Sequence, residues 1–553
     1  MTRRGNEAIG VPLLLAFLVW LVLYPLLLVL VEGVRGPGGW TAEHLREFLG
    51  RSTEMVALWN SFWISLASVA LAALLGIPLA FLLERYDLPG GRVLGGLVAL
   101  PAVLPPLVGV VAFLFLYGET GFVALLLMRL FRLEEPPWRL QGAGAILLVH
   151  AYSMYVYFYL LVRAALVSLD RAQLEAAASL GAGRWRTLRR VVLPHLRPAL
   201  TGATLLTFMT ALGSFSAPYV FGGGFRVMPT QIVATRLNGE NQLAMVETAS
   251  LAAMALLALL LFRSGSTASG GGRKGAGPVR IALRSRVTRI AAGLVSWGLA
   301  ALLLLPHLTL VLVSFVPVGT WTTEPLPPAY TVRNYFALVE DPVRVRPLLN
   351  STWLATVATL AAVGIALASA LLSARRSTPV RRAIDGLLAL PWAVPGTVFA
   401  IALATAFSVR APATGRLVLV GTLWILPLAY LVRNLPITSR AITAGVRALD
   451  PSLDEAAASL GAGRGRTLWR VTLPLLRPAL LAGASLAFVT AFGDFVTSIM
   501  LYTYDTRPIS LEILSSLRQA DVGVAAAYGV VLMLVSAAVF ALGSGGQGRG
   551  NAG

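Results

Sequence analysis

The chain has 553 residues, 57% of them hydrophobic and only 13% charged, with a mean hydropathy of +0.76. A soluble domain carries about a quarter charged residues, so this composition belongs to a bilayer. The net charge of +20 rests on arginine, Lys274 being the one lysine, and the absence of cysteine excludes disulfides, thiolate metal sites and cysteine nucleophiles.

A helix needs roughly 20 apolar residues to cross about 30 Å of hydrocarbon. Six such runs occupy the first half: Val11 to Val31, Trp59 to Leu83, Val93 to Tyr117, Ala143 to Val162, Leu200 to Phe221 and Met245 to Phe262. The first follows Arg3 and Arg4 as a leader would, but it is too long and lacks a small-residue cleavage site, so it reads as a span. Gly121 to Phe131 is apolar but short, and is expected as a surface helix on the outer side. Six more runs follow: Ile290 to Val316, Leu348 to Leu372, Gly386 to Phe407, Leu417 to Val432, Leu480 to Tyr502 and Val522 to Leu542. The tenth is short and is read as ending at Arg433, with the arginine stem snorkelling to the interface. The predicted class is an all-α integral membrane protein of about twelve spans.

If the N-terminus is cytoplasmic and the spans alternate, the inner segments hold 30 of the 45 basic residues and the acidic residues lean outward. This is the positive-inside pattern, so the charge reports topology and a nucleic-acid role is set aside. Both termini then face the cytoplasm.

Residues 263–289, which include "RSGSTASGGGRKGAGPVR", read as a flexible cytoplasmic linker between a first repeat, 1–262, and a second, 290–553. Glu175 to Leu200 matches Glu455 to Leu480 at an offset of 280, with only four differences. Asn60-Ser61 and Asn350-Ser351, and "ALP" at Ala99 and Ala389, agree at an offset of 290. Six spans per repeat is an even number, so the two repeats are parallel and both copies of the polar loop, about 168–198 and 440–478, face the cytoplasm.

Asp170 and Asp450 stand where helix N-caps stand, "EAAASL" is a strong helix former, and Gly181 or Gly461 stops it. A basic second helix follows as far as a Leu-Pro pair. The plainest reading is a connector between two spans. Yet small alanine side chains let another protein approach closely, Glu175 and Glu455 are placed to cap or pair at such a contact, and two near-identical copies imply two near-identical partners.

The Glu-Ala-Ala, Gly, Leu-Pro pattern resembles the cytoplasmic signature of permease subunits in binding-protein-dependent ATP-binding-cassette importers, and the resemblance covers essentially the whole chain. It implies the type I importer permease fold in the bacterial cytoplasmic membrane. It also implies two copies of an ATPase subunit as partners, and a periplasmic or lipid-anchored solute-binding protein. The residues it assigns to the ATPase contact are Glu175, Ala176, Ala177, Gly181, Glu455, Ala456, Ala457 and Gly461. The fused arrangement is similar to ferric-iron and thiamine permeases, and "GGGFRVMPTQI" and the stretch from Leu501 look most like the ferric-iron type; thiamine, polyamine or another small solute is the alternative.

A phosphate-binding GxxxxGK[ST] loop is missing, because Lys274 follows Arg273, so the ATPase must be another chain. No cofactor is expected, and the four histidines never fall at metal-ligand spacing. Asp494, inside the eleventh span, is the candidate for the solute path, with a structural hydrogen bond to a neighbouring helix as the equal alternative, and Ser214 is its first-repeat counterpart. Asn60 and Asn350 are further candidates, although hydrogen bonding between helices is the more ordinary use of such residues. The tyrosines and His150 of the fourth span are assigned to packing or interfacial anchoring. An ion-coupled secondary transporter is the rival reading, but it ordinarily needs more intramembrane acids and bases than are found here.

Overall fold

The computed structural model describes residues 2–36, 38–103, 105–263, 283, 285–321, 324–373 and 378–548. Most of the predicted linker, Lys274 included, lies outside the described residues. The described residues are mostly helical; the one sheet among them pairs Arg35–Gly36 with Gly39–Trp40.

The helices used below are α1 (Gly10–Gly33), α2 (Ser52–Arg85), α3 (Gly91–Ala99), α4 (Pro106–Tyr117) and α5 (Phe122–Phe131). Next come α6 (Gly142–Val167), α7 (Arg171–Ser179), α8 (Arg184–Thr187), α9 (Leu193–Leu212), α10 (Ser216–Phe221) and α11 (Met228–Leu237). These are followed by α12 (Asn241–Arg263), α13 (Arg286–Val313), α14 (Pro342–Ser373), α15 (Thr378–Ala389), α16 (Gly396–Ala406) and α17 (Ile425–Ala448). The last are α18 (Ser452–Ser459), α19 (Arg464–Thr467), α20 (Leu473–Phe492), α21 (Val496–Leu501), α22 (Ile509–Arg518) and α23 (Val522–Gly548).

Nine helices among the described residues are long and apolar enough to cross a membrane, or ten if the bent pair of α15 and α16 is one span. The fifth and tenth expected spans, α9 and α17, are helices that fall outside that count. Several expected spans are not continuous. The third breaks after α3 and resumes at α4, and the ninth bends by 104° between Trp392 and Gly396. Both breaks fall at the "ALP" landmarks, where Pro101, Pro105, Pro391 and Pro395 withhold backbone donors. The fifth and eleventh spans break at Gly213-Ser214 and Gly493-Asp494, between α9 and α10 and between α20 and α21. The tenth span is displaced: residues 417–424 are not helical, and the helix runs from Ile425 to Ala448, so it continues past Arg433 instead of ending there.

Packing divides the chain differently from its duplicated pattern. One compact unit comprises Met1–Glu47, Asn238–Ala249 and Thr331–Gly553; the other comprises Phe48–Leu237 and Ser250–Tyr330. In the first unit α14, α17, α20 and α23 pack side by side, and α1 lies on α16. There the Trp20 indole donates to the Ala413 carbonyl at 2.8 Å and meets the Phe407 ring edge-on. In the second unit α2, α6 and α9 form the centre, and α13 lies on α3 and α4. The Tyr152 hydroxyl donates to the Leu303 carbonyl at 2.8 Å, and the Trp297 indole donates to the Pro89 carbonyl at 3.1 Å. The first span of each sequence repeat is therefore built into the unit that holds most of the other repeat. Gly76 lets α2 and α6 approach backbone to backbone, since a Cβ there would lie 2.3 Å from the Tyr155 carbonyl oxygen.

Candidate functional site

Two surface elements repeat almost atom for atom. The Asp170 carboxylate accepts from the Ala172 amide at 3.0 Å, and the Asp450 carboxylate accepts from the Ser452 amide at 2.9 Å, so each short helix begins at an acidic cap. The Ser452 amide and hydroxyl hold Asp450 below the ordinary carboxylate range. At the other end Gly181 and Gly461 take φ of +72° and +75°, a left-handed conformation that costs other residues strain. The Ala182 amide donates to the Ala177 carbonyl and the Gly181 amide to the Ala178 carbonyl, at 2.9 and 3.0 Å. Ala462 and Gly461 repeat the pair on Ala457 and Ala458 at the same distances. This is the Schellman stop, which satisfies the last carbonyls and turns the chain sharply.

The eight residues assigned to a partner contact do not share one environment. Glu175, Ala176 and Gly181 are exposed, as are Glu455, Ala456 and Gly461, and Glu175 is paired with Arg171. Ala177 and Ala457 are buried and fasten the helix to the body. Sequence reasoning passed over the most prominent side chains: Leu180 and Leu460 are 85% and 88% exposed at the helix ends. Their position just before a left-handed glycine was the available signal. After each short helix the chain passes through α8 or α19 and then a π turn, Leu188–Val192 or Leu468–Thr472, directly before the Leu-Pro pair. Such turns are rare and often mark functional joints.

A buried polar cluster lies in the first unit, at the break between α20 and α21. The Asp494 side chain is 3% exposed. Its Oδ2 accepts from Arg433 Nη1 at 2.7 Å and from Thr497 Oγ1 at 3.2 Å. Its Oδ1 accepts from the amides of Thr497 and Ser498 at 2.8 and 3.1 Å, and from Ser498 Oγ at 3.3 Å. A carboxylate offers about four lone-pair directions, and these contacts fill them. Asp494 thus caps α21 and anchors Arg433. The Tyr430 hydroxyl and Ser498 Oγ lie 2.6 Å apart beside it. Arg433 keeps 31% of its side chain exposed, and lies against Gly396 so closely that a Cβ there would be 2.6 Å from Nη1.

The corresponding break in the second unit carries no charge. Ser214 Oγ lies 2.9 Å from His150 Nε2, and Ser68 Oγ lies 2.8 Å from His150 Nδ1. His150 is buried, as the packing assignment requires, and the offset of 280 places it opposite Tyr430. Asn60 Nδ2 donates to the Arg226 carbonyl at 2.9 Å, and Asn350 Nδ2 to the carbonyls of Asp505 and Arg507 at 2.9 and 3.0 Å. Their neighbours complete a clamp: Ser61 Oγ accepts from the Met228 amide at 2.7 Å and Ser351 Oγ from the Ile509 amide at 2.8 Å. Each Asn-Ser pair thereby ties the loop before α11 or α22 to a long span. The reading that singled out Asp494 as the intramembrane acid also missed Glu247, fully buried in α12. No group of three metal-holding side chains occurs among the described residues.

The pattern of one family, the binding-protein-dependent transport system inner membrane component, matches the chain twice, over residues 72–266 and 362–544. A probable ABC transporter permease protein of Sinorhizobium fredii is 32% identical over 88% of this chain and 87% of its own length. The ferric transport system permease protein FbpB of Actinobacillus pleuropneumoniae is 28% identical over 98% of this chain and 78% of its own. A 2-aminoethylphosphonate transport system permease protein of Salmonella typhimurium, provisionally so named, is 30% identical over 39% of this chain and 77% of its own. With the family pattern present in both repeats and over more than half of the residues, the chain belongs to the binding-protein-dependent transport system inner membrane components, as a permease with two copies of the domain fused in one polypeptide.

Proposed function

We propose that this permease carries a solute handed over by an outer binding protein into the cytoplasm, driven by two copies of a separate ATPase subunit. The repeats 1–262 and 290–553 supply one ATPase contact each. Glu175, Ala176 and Gly181, with Glu455, Ala456 and Gly461, form the contact surfaces, Leu180 and Leu460 are their apolar anchors, and Ala177 and Ala457 hold the helices in place. The observation that carries this reading is the pair of exposed helices with the same acidic start and the same Schellman stop. Both are assigned to the cytoplasmic side of the inner membrane, with both termini, because 28 of the 45 basic residues fall on that side once Arg433 and Arg440 are counted with their helix.

Ferric iron is the first choice of solute, supported by the relative that matches nearly the whole chain. The partial match to a phosphonate permease supports an oxyanion as the alternative. Leu180→Asp and Leu460→Asp test the coupling reading. Each should weaken co-purification of the ATPase, and the double variant should abolish ATP-dependent uptake. Uptake that persists in the double variant with the ATPase still bound would remove the basis for it.

A further inference from the structure

Arg433 is the first of three arginines spaced seven residues apart on α17, followed by Arg440 and Arg447. Seven residues are nearly two helical turns, so the three share one stripe, about 21 Å from first to last. Arg440 is exposed and stacks over the Trp392 ring at 5.1 Å, and Arg447 is exposed with Asp385 at 3.2 Å. On α6 the corresponding positions are Ser153, Leu160 and Val167, so the stripe is peculiar to the second repeat.

Arg447 at the helix end fits the positive-inside pattern, but Arg433 and Arg440 lie within the helix, where a charge is costly unless it faces a partner or a water-filled path. Arg433 is only half used. Nη1 binds Asp494 and Thr497, while Nε and Nη2 have no partner among the described residues, and the side chain remains open beside Gly396. Three N–H donors at a fixed, anchored guanidinium match anionic oxygens. A bare metal cation finds the reverse: guanidiniums along the stripe, and two carboxylates, Asp494 and Asp385, already paired with them.

Resting on the permease reading above, we infer that Arg433, Arg440 and Arg447 form the track of an anionic solute, a tetrahedral oxyanion or an anionic iron(III) chelate, with Arg433 as the first binding group and Asp494 as the residue that positions it. Iron crosses this protein, if at all, inside a shell of anionic oxygens.

The full chain in lipid nanodiscs is titrated calorimetrically with methylphosphonate, citrate, ferric citrate and, as the cation control, spermidine. Wild type should bind at least one of the anions and not spermidine; ferric citrate alone identifies a chelate, and methylphosphonate a free oxyanion. Arg433→Gln and Arg440→Gln should each weaken that binding roughly 10- to 100-fold, and Arg433→Lys should restore part of it. Asp494→Asn should tighten it, since the site gains a net positive charge. The neutral double variant R433Q/D494N guards against a folding defect in R433Q, and should be folded yet silent. Anion binding that survives in R433Q/D494N and in Arg440→Gln, a wild type that binds none of the anions, or spermidine binding lost in Asp494→Asn would each overturn the inference. No nucleotide enters this measurement, so a failed coupling reading leaves its outcome intact.

Discussion

The two repeats keep one part of themselves nearly identical and let another diverge. Around the short surface helices, caps, Schellman bonds and exposed leucines agree to a tenth of an ångström or a few per cent. At the helix breaks the second repeat holds an ion pair, Arg433 with Asp494, and the first holds a neutral histidine bridge between Ser68 and Ser214. Surfaces that meet two copies of one partner must match each other. Groups that meet one asymmetric solute are under no such constraint, and on the reading proposed above the divergence would separate the two tasks.

The largest expected effect breaks the comparison at the divergent site. Asp494→Ala leaves Arg433 without its counter-ion and α21 without its cap, a loss of about 2 to 3 kcal/mol once the partial exposure of the arginine is discounted. Ser214→Ala removes one neutral hydrogen bond, at about 1 kcal/mol. Thermal unfolding of the purified chain measures both, and equal losses would mean that the two breaks are energetically alike.

At the matched surface the expectation is equality. Gly181→Val and Gly461→Val each force a branched side chain into a left-handed turn, at about 1 to 2 kcal/mol of local strain. Rates of ATP-dependent uptake should fall by factors that agree within about twofold, the strain being the same in both. A large effect of one variant and none of the other would make the two surfaces functionally distinct. Smaller again, Ser61→Ala and Ser351→Ala should each cost about 1 kcal/mol by freeing the first amide of α11 or α22, and hydrogen exchange at Met228 and Ile509 reports it directly.

Period and composition made the long spans legible, because a run of apolar residues has one stable use in a bilayer. The surface helices were legible for a different reason: Asp, the alanine run and Gly are local instructions for a cap, a helix and a stop. What escaped was non-local. Arg433 closed a span when read along the chain, because its partner lies 61 residues away across a helix break. For the same reason Asp494 could be read equally as a path residue or as a structural hydrogen-bonding group, since the donors that fill its lone pairs become visible only when α21 is folded beneath it. The first span's place in the unit that holds most of the second repeat has no sequence signal that periodicity or spacing detects. The Asn-Ser landmarks were found as a repeat, but that the serine rather than the asparagine holds the helix amide required the geometry of α11 and α22.

The smallest effect concerns pH at the matched surface. Asp450 is held below its ordinary value of 3.8 by the Ser452 amide and hydroxyl, so its ionised form is favoured in the folded protein. A carboxylate depressed in this way contributes its full stabilisation above the unfolded value and loses it as the pH falls through the lower folded value. From neutrality down to about pH 4 the start of α18 should therefore be insensitive to acid, with its amides losing protection only below that. Asp450→Asn keeps an oxygen acceptor without a titrating proton, and should remove the acid-induced loss while leaving the helix protected at neutral pH. Asp450→Ala should expose the Ser452 amide at every pH. Hydrogen exchange of the α18 amides, compared across the three proteins between pH 3 and 6, separates a cap that acts through its charge from one that acts through its acceptor oxygen: if the Asn variant frays at neutral pH as the Ala variant does, the charge, and not the hydrogen bond alone, starts this helix.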